Sequence, residues 1–266
     1  MTSTLTLGCI FVVLATTASA QTSGTATGTL TIDGKSFKLS HAHAQEVKDP
    51  FMGAKQIRIV LSDVPIVDET MEDDTGVEDL VQAGKLNAIE YTFTPSGELT
   101  GGHLVHGLKS VAFTQASANF TKQTFDAKTA AGKVWTDQPA PEMAEMKYAS
   151  TATFTAPIQR EAKPTAQGAT AAATGPGQVA SQYMKAARAK DFATIKKVSG
   201  PAGVQMLEGP GAKEQMDGIV RWMKPGLDIV RVYEWSNFAK VDFAMKDGSG
   251  VTTMTLVKMG GAWKVK

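Results

Sequence analysis

The chain has 266 residues, 42% of them hydrophobic, and a formal net charge of +1. Its only cysteine, Cys9, lies in the N-terminal leader, so the mature protein contains none. This excludes disulfides, thiol catalysis, cysteine-ligated zinc and iron–sulfur clusters. Lysine and arginine are scattered and do not alternate with aromatic residues, which argues against nucleic-acid binding. No segment after the leader is apolar enough to be transmembrane.

Residues 1–20 have the pattern of a secretory signal peptide. An apolar run over residues 7–15 is followed by small residues ending in Ala18-Ser19-Ala20, an A-x-A-type cleavage site. The run is well short of the ~20 residues that a membrane span needs. We therefore expect a secreted or periplasmic protein whose mature chain begins at Gln21.

A stretch without large apolar residues, 160–177, divides the mature chain. Its alanine, threonine, glycine and proline residues bury too little surface to offset the entropy of ordering, which predicts a flexible linker. The linker separates a first domain, 21–159, from a second, 178–266. Residues 21–160 carry 12 basic and 17 acidic residues (net −5), and residues 176–266 carry 14 and 8 (net +6). We favour the interpretation that these are two soluble domains of opposite sign. The alternatives are docking of the halves on each other and an acidic partner for the second.

The first domain has the short-range pattern of β-strands. Residues 29–32 and 35–39 alternate around Asp33-Gly34, a strong hairpin signal because glycine tolerates positive φ. Further period-two runs follow, and helical spacing predicts one short helix at 76–84. These elements predict an all-β sandwich or barrel with one short helix.

An acidic stretch, residues 68–75, lies before that helix. Clustered carboxylates are the ligands that calcium prefers, but the alternating acids of a calcium-binding loop are missing. We therefore favour a solvated acidic loop over a calcium site.

The four histidines all lie in the first domain, at His41, His43, His103 and His106. His41 and His43 continue the parity of Leu39, so both rings are expected on the face that Leu39 occupies. Two histidines on one strand can bind a divalent transition metal, and His103 could add a third ligand. The alternative is that these are partly buried histidines with hydrogen bonds at one end of the sheet.

The second domain begins with helical spacing and ends with strands. Apolar residues at helical spacing predict helices from Gln178, after Asp191 as an N-cap, and around Met216 to Met223. Alternating runs at 229–235 and beyond then predict an antiparallel meander to the end of the sequence. The expected plan is α+β, with helices packed on one face of a curled sheet.

Two segments of this domain carry a family resemblance. Residues 182–195 and the ending 256–265, where Gly260-Gly261 precedes Trp263, resemble small nuclear-transport-factor-like (cystatin-like cone) domains of exported bacterial proteins. The resemblance covers about the last 90 residues and implies a conical half-barrel with a pocket between helices and sheet. The family includes ketosteroid isomerases, polyketide cyclases, dehydratases and exported proteins without known activity, so the fold does not choose the function.

The side chains of this domain do not match the catalytic members, which use an aspartate base with tyrosine or histidine partners. The domain has no histidine, and Asp242 alternates with apolar residues and is expected to face away from the core. No catalytic or cofactor-binding residue is therefore assigned. Tyr183, Tyr233 and Trp235 are the candidates for lining a pocket.

The sequence favours an exported, non-enzymatic binding or envelope-associated protein, whose partner is a small molecule or an envelope protein. One alternative is a metal-binding protein or metalloenzyme that uses His41 and His43. The other is an isomerase or hydrolase acting on a small apolar substrate in the second domain. No cofactor is predicted apart from the metal of the first alternative.

Overall fold

The computed structural model describes residues 23–48, 54–107, 109–136, 146–223, 226–245 and 250–266. The predicted signal peptide lies outside these residues. Across the ranges given, no helix has the length and apolar character that crossing a membrane requires. The described chain forms two sheets, one of nine strands and one of five.

The first sheet has the strand order β6-β5-β4-β3-β2-β1-β9-β8-β7. The β1–β2 hairpin turns at Asp33-Gly34, where both residues have positive φ, as the sequence predicted. Two short helices lie between β3 and β4. The elements are β1 Gly24–Ile32, β2 Lys35–Lys48, β3 Lys55–Ser62, α1 Asp68–Glu72, α2 Gly76–Gln82, β4 Ala88–Phe93, β5 Leu99–His106, β6 Lys109–Thr114, β7 Asn119–Phe125, β8 Thr129–Trp135 and β9 Tyr148–Gln159.

This sheet curls, so that strands far apart in its order meet across the concave face. Phe93 on β4 packs edge-on against Phe120 on β7 with ring centroids 4.8 Å apart, and its ring lies 5.4 Å from that of Phe125. The hydroxyl groups of Tyr91 on β4 and Ser150 on β9 are hydrogen-bonded to each other. Side chains from all nine strands therefore contribute to one core inside a half-barrel.

The core-facing side of β2 changes along the strand. Leu39 belongs to the concave core, but further along the strand Ala42 and Ala44 belong to it instead. A register shift in the β1–β2 ladder accompanies this change. His43 consequently lies on the convex side, opposite Val60 of β3. The prediction that Leu39 and His43 share a face is wrong, because strand parity does not continue through the irregularity.

Helices α1 and α2 cover part of the convex face. Met71 of α1 and Val81 of α2 are buried against Val60 and Val105 of the sheet. The predicted helix at 76–84 is confirmed as α2. The expectation of a solvated acidic loop is wrong, because Met71 anchors that stretch to the sheet as α1.

The second sheet has the order β10-β11-β12-β13-β14, and four helices pack on one of its faces. Its strands and helices are β10 Ala166–Gln167, α3 Gly175–Ala189, α4 Phe192–Val198, α5 Pro201–Glu208, α6 Ala212–Trp222, β11 Leu227–Glu234, β12 Phe238–Met245, β13 Val251–Met259 and β14 Ala262–Val265.

Local signals set the helix boundaries in this half. The Thr174 hydroxyl accepts a backbone N–H in the first turn of α3, which ends at Lys190 in the left-handed region, with φ of 55°. Asp191 caps α4 as predicted, accepting the Thr194 N–H at 3.1 Å. Helix α5 was not predicted; Pro201, whose fixed φ suits a first turn, begins it.

The stretch expected to be a flexible linker, residues 160–177, is built into the second sheet. Ala166 and Gln167 pair with β11, and a 3-10 helix, Gly168–Ala173, leads into α3. Ala171 is fully buried in the second core. The structure differs from the expectation because small side chains also serve in a core: the Ala171 methyl group packs there, and Ala166 and Gln167 gain a strand partner.

The predicted fold class, an all-β sandwich or barrel followed by an α+β cone, is wrong. The described residues are mostly β, with 49% strand and 28% helix. Its first strands form one curled half-barrel sheet instead of two packed sheets or a closed barrel, and they carry two short helices instead of one. The helices of the second half are also short beside a five-stranded sheet. Periodicity identifies strands, but pairing order and curl depend on contacts between distant strands.

Replacing Phe93, which is fully buried, tests whether aromatic packing across the concave face stabilises the curled sheet. We expect Phe93→Ala to lower the free energy of unfolding by about 3–5 kcal/mol, because a cavity opens between β4 and β7. Phe93→Leu keeps most of the apolar volume and should cost about 1.5 kcal/mol or less. Urea denaturation measures both. Equal, small losses in the two variants would contradict the packing described here.

Candidate functional site

A cleft of about 630 Å³ opens between helix α6 and strand β13. Its volume is within the range of about 300–1,000 Å³ typical of small-molecule pockets. Four consecutive residues of β13, 252–255, line one side. The α6 side is lined by Gln215, Gly218, Ile219, Trp222 and Met223. We call this feature the α6–β13 cleft.

The floor of the cleft is apolar, and its mouth carries an exposed aromatic ring. Phe243 and Met254 belong to the buried core beneath it. Burial raises the pKa of the Tyr183 hydroxyl above its ordinary value. The Trp222 ring at the mouth is 63% exposed. Large exposed apolar groups beside a cavity are typical of a binding surface.

The third wall of the cleft comes from the first half of the chain. Residues 73–75 line it and belong to the acidic segment, which we define as residues 68–79. This segment carries seven carboxylates and no basic residue. The cleft therefore lies where the two sheets meet, and each half contributes to it.

Lys266 fastens the acidic segment at one end of the cleft. Its Nζ lies 2.6 Å from both Asp73 Oδ2 and Asp79 Oδ2 and donates to Thr75 Oγ1 at 2.7 Å. Burial alone would lower the pKa of Lys266, but hydrogen bonds to Asp73 and Asp79 outweigh it and raise the pKa. The ammonium group therefore stays charged at neutral pH.

Two further contacts hold the acidic segment on the second sheet. Lys240 Nζ lies 3.4 Å from Asp74 Oδ1 and 3.9 Å from Glu72 Oε2. The Ser236 N–H donates to Glu69 Oε1 at 2.8 Å. Burial raises the pKa of Glu72, and Lys240 partly opposes that shift. Lys240 points away from the helices, so the second sheet is covered by helices on one face and by this segment on the other.

The structure does not bring His41, His43 and His103 together as metal ligands. His43 is 2% exposed, and its Nε2 accepts the Ile66 N–H at 3.1 Å. Its Nδ1 is buried without a hydrogen-bond partner among the described residues. In the part of the chain that the structure describes, no three or more His, Cys, Asp or Glu side chains are grouped to hold a metal ion.

His103 belongs to a separate relay on β5. Its Nε2 lies 2.6 Å from Ser110 Oγ, and its Nδ1 lies 3.4 Å from Glu78 Oε1. The order of groups is that of a serine hydrolase, in which a histidine takes the hydroxyl proton and a carboxylate orients the ring. Ser110 is exposed on the convex face, however, and neither it nor His103 lines the α6–β13 cleft. The relay joins α2 to the sheet.

The three predicted pocket residues separate in the structure. Tyr183 lines the cleft, whereas Tyr233 and Trp235 stack on each other with ring centroids 6.4 Å apart and do not line it. Asp242 faces away from the helices, as expected, but it is buried. Its carboxylate accepts the Thr253 hydroxyl at 2.7 Å and pairs with Arg231 at 3.0 Å.

Sequence reasoning missed the acidic segment, Lys266 and the threonines of β13 as parts of one site. One signal was available: residues 251–257 form a strand without any charged residue. A long uncharged strand is unusual at the edge of a sheet, because natural sheets protect their edges with charges, proline or covering elements.

Comparisons with known proteins assign no function to this cleft. No protein-family model, curated protein or solved structure matches the chain. The resemblance of the last residues to nuclear-transport-factor-like domains therefore stays a prediction.

The buried ring of His43 predicts how stability depends on pH. Burial, with a smaller effect of nearby His41, lowers the pKa of His43 to about 4 from an ordinary value of 6.5. Between these values the unfolded chain binds a proton that the folded ring excludes, so stability falls as pH decreases from about 6.5 to 4. The loss attributable to His43 is up to about 3 kcal/mol.

The measurement is the free energy of unfolding from urea titrations between pH 4 and 8. His43→Gln keeps an acceptor for the Ile66 N–H and removes the titration, so its stability should depend less on pH than that of the wild type. His106→Gln serves as the control and should keep the wild-type slope. The same slope in all three proteins would contradict the assignment.

Proposed function

We propose that this protein is an exported, non-enzymatic binding protein that holds its ligand in the α6–β13 cleft. The observation that carries the proposal is the composition of the cleft. It joins an apolar floor, a row of threonines and an acidic wall around one opening of ligand size. Apolar surface supplies affinity in such sites, and a few placed polar groups supply orientation.

The state of the charged groups in the cleft supports binding over catalysis. Asp73 and Lys266 form an ion pair with each other, and Asp74 is paired with Lys240. Tyr183 is protonated at neutral pH, as tyrosine ordinarily is, and burial raises its pKa further. A general base must lie within hydrogen-bond reach of the proton that it abstracts. Asp73 is engaged by Lys266 and Asp74 is 84% exposed, so neither is a buried, unpaired carboxylate beside the apolar floor.

The lining also restricts the class of ligand. Ile219, Met223 and Met254 offer apolar contacts, and the hydroxyl groups of Thr252 and Thr255 offer hydrogen bonds. The acidic wall disfavours anions. A neutral or cationic ligand with apolar groups and hydrogen-bonding groups fits this lining.

Export supports the same proposal. The signal peptide pattern over residues 1–20 directs the protein to the periplasm or the medium. The mature chain contains no cysteine, so an oxidising compartment cannot alter its fold through thiol oxidation. We therefore infer that the ligand is met outside the cytoplasm, free or as part of the cell envelope.

Gly218 allows the cleft to be blocked without disturbing the core. It lies in the middle of α6 and lines the cleft, and a Cβ at this position would meet no atom within 4 Å. We expect Gly218→Phe to abolish binding of Nile red, a neutral apolar dye, because the new ring fills the opening. Dye fluorescence during titration with protein measures the binding.

Gly218→Ala is the matched control. It should keep dye binding and stabilise α6 by about 0.5–1 kcal/mol, since alanine is a better helix former than glycine. Thermal unfolding of both variants confirms that they fold. Equal dye binding by wild type and Gly218→Phe, or no binding by the wild type, would overturn the proposed site.

The export step has its own test. When the full chain is expressed in a bacterial host, we expect the exported protein to have the mass of a chain that begins at Gln21. Ala18→Arg places a large charge at the third residue before the cleavage point and should block processing, whereas Ser19→Thr should not. A periplasmic or secreted product that retains residues 1–20 would contradict this prediction.

A further inference from the structure

Strand β13 has one edge that is only partly paired. On one side, β12 pairs with it from Val251 to Val257. On the other side, β14 pairs only with residues 256–259. The Lys266 N–H extends this contact to the Thr255 carbonyl, and within the described ranges no strand covers the outer edge of residues 251–254. At about 3.3 Å per residue, this free edge is roughly 13 Å long.

The α6–β13 cleft runs along this free edge. Successive side chains of a strand point to opposite faces, so a cavity above one face would be lined by alternate residues. The cleft is instead lined by four consecutive residues, 252–255. It therefore opens on the backbone of β13, with α6 on one side and residues 73–75 of the acidic segment on the other.

Backbone groups of alternate residues in β13 are oriented toward this free edge. The Thr255 carbonyl accepts the Lys266 N–H at 3.0 Å on the β14 side of the strand. Backbone groups of successive residues alternate in direction across an antiparallel ladder. The N–H and C=O groups of Thr253 and Val251 consequently point to the same side as those of Thr255, toward the free edge, and Thr253 also lines the cleft.

The side chains of Val265 and Lys266 show which pattern fits this position. Val265 of β14 is buried in the helix-facing core, and Lys266, which follows it, points to the other face and pairs with Asp73. A strand that continued the line of β14 would place alternate residues toward Ile219 of α6 and toward the acidic wall. The Asp74 side chain in the acidic wall is 84% exposed, so its carboxylate is accessible to a basic side chain of such a strand.

We propose that the α6–β13 cleft binds an extended peptide segment of another protein, with alternating apolar and basic side chains, which adds to β13 as an extra strand. The proposal rests on the proposed function, because it names the class of ligand for the same cleft. Strand addition is an established mode of peptide recognition, in which backbone hydrogen bonds give affinity and pockets for alternate side chains give specificity. The exposed Val251 and Trp222 side chains flank the position that the peptide would cover.

The probe is an eight-residue synthetic peptide of alternating valine and lysine, capped at both ends and labelled for fluorescence anisotropy. We expect saturable binding to the wild type and at least tenfold weaker binding to Gly218→Phe. A peptide of the same composition with valines and lysines in two separate blocks should bind at least about tenfold more weakly, because both faces cannot then be satisfied. Equal binding of the two peptides would overturn the proposal.

Methylation of the peptide backbone tests the added strand without altering the protein. The Lys266 backbone N–H donates to β13. In a peptide that continues the line of β14, the lysines take the same alternate positions as Lys266, so their backbone N–H groups also point toward β13. N-methylation of the lysines should weaken binding about tenfold or more, since each lost hydrogen bond costs up to about a factor of ten. N-methylation of the valines should have little effect. Equal effects of the two methylations would overturn the proposal.

A matched pair of protein variants tests the same contact from the other side. Thr253→Pro removes an N–H that faces the free edge and leaves the hydrogen bonds with β12 intact. Proline is tolerated at strand positions whose N–H has no partner strand. It should weaken peptide binding about tenfold, whereas Thr253→Ala, which keeps the N–H, should not. If Thr253→Pro does not fold, amide chemical-shift changes at Val251 and Thr253 on adding the peptide replace it.

The outcomes separate this proposal from the proposed function. Nile red binding that Gly218→Phe abolishes, without binding of the alternating peptide, would overturn the added strand and leave the cleft as a small-molecule site. Absence of both would overturn both. A concentration-dependent dimer that protects the Val251 and Thr253 amides and resists displacement by the peptide would show that a second copy covers the edge, and would also overturn the proposal.

Discussion

The pairing of Lys266 with Asp73 and Asp79 is the shortest of the described ion pairs that hold the acidic segment on the second sheet. It joins Lys266 to Asp73, 193 positions earlier in the sequence, and closes one end of the cleft. The Asp73 side chain is only 12% exposed, so solvent screens this pair less than a surface ion pair. Removing Lys266 would leave the poorly hydrated Asp73 carboxylate without its cation, while the contacts from Lys240 and Ser236 would still hold the acidic segment.

The position of the acidic segment follows from the first sheet. The half-barrel packs its aromatic residues on the concave face, which leaves the convex face to α1 and α2. A small cluster that includes Val60, Met71 and Val81 anchors these helices, while their carboxylates face outward. Lys240 and Lys266 of the second sheet meet those carboxylates, and the cleft is consequently shared between the two halves.

Local signals predicted individual elements better than their assembly. The Asp33-Gly34 hairpin, helix α2 and the Asp191 cap were predictable because turn and cap preferences act within a few residues. The acidic stretch and the linker were misjudged because their composition is polar or small, and a single anchoring residue, Met71 or Ala171, decided their structure. Of the predicted pocket residues only Tyr183 lines the cleft. Helical spacing fixed its face, whereas strand alternation did not say which face of the second sheet the helices would cover.

The sequence by itself determined that no cysteine follows Cys9, that the two halves carry opposite charges and where most strands and helices lie, and it predicted the leader. These properties are additive or local, so they can be read without knowing which residues meet. Only the tertiary structure decided that the first strands form one curled sheet, that β2 changes its buried face and that the edge of β13 opens into a cleft. Each of these depends on contacts between residues far apart in the chain, whose pairing no local period encodes.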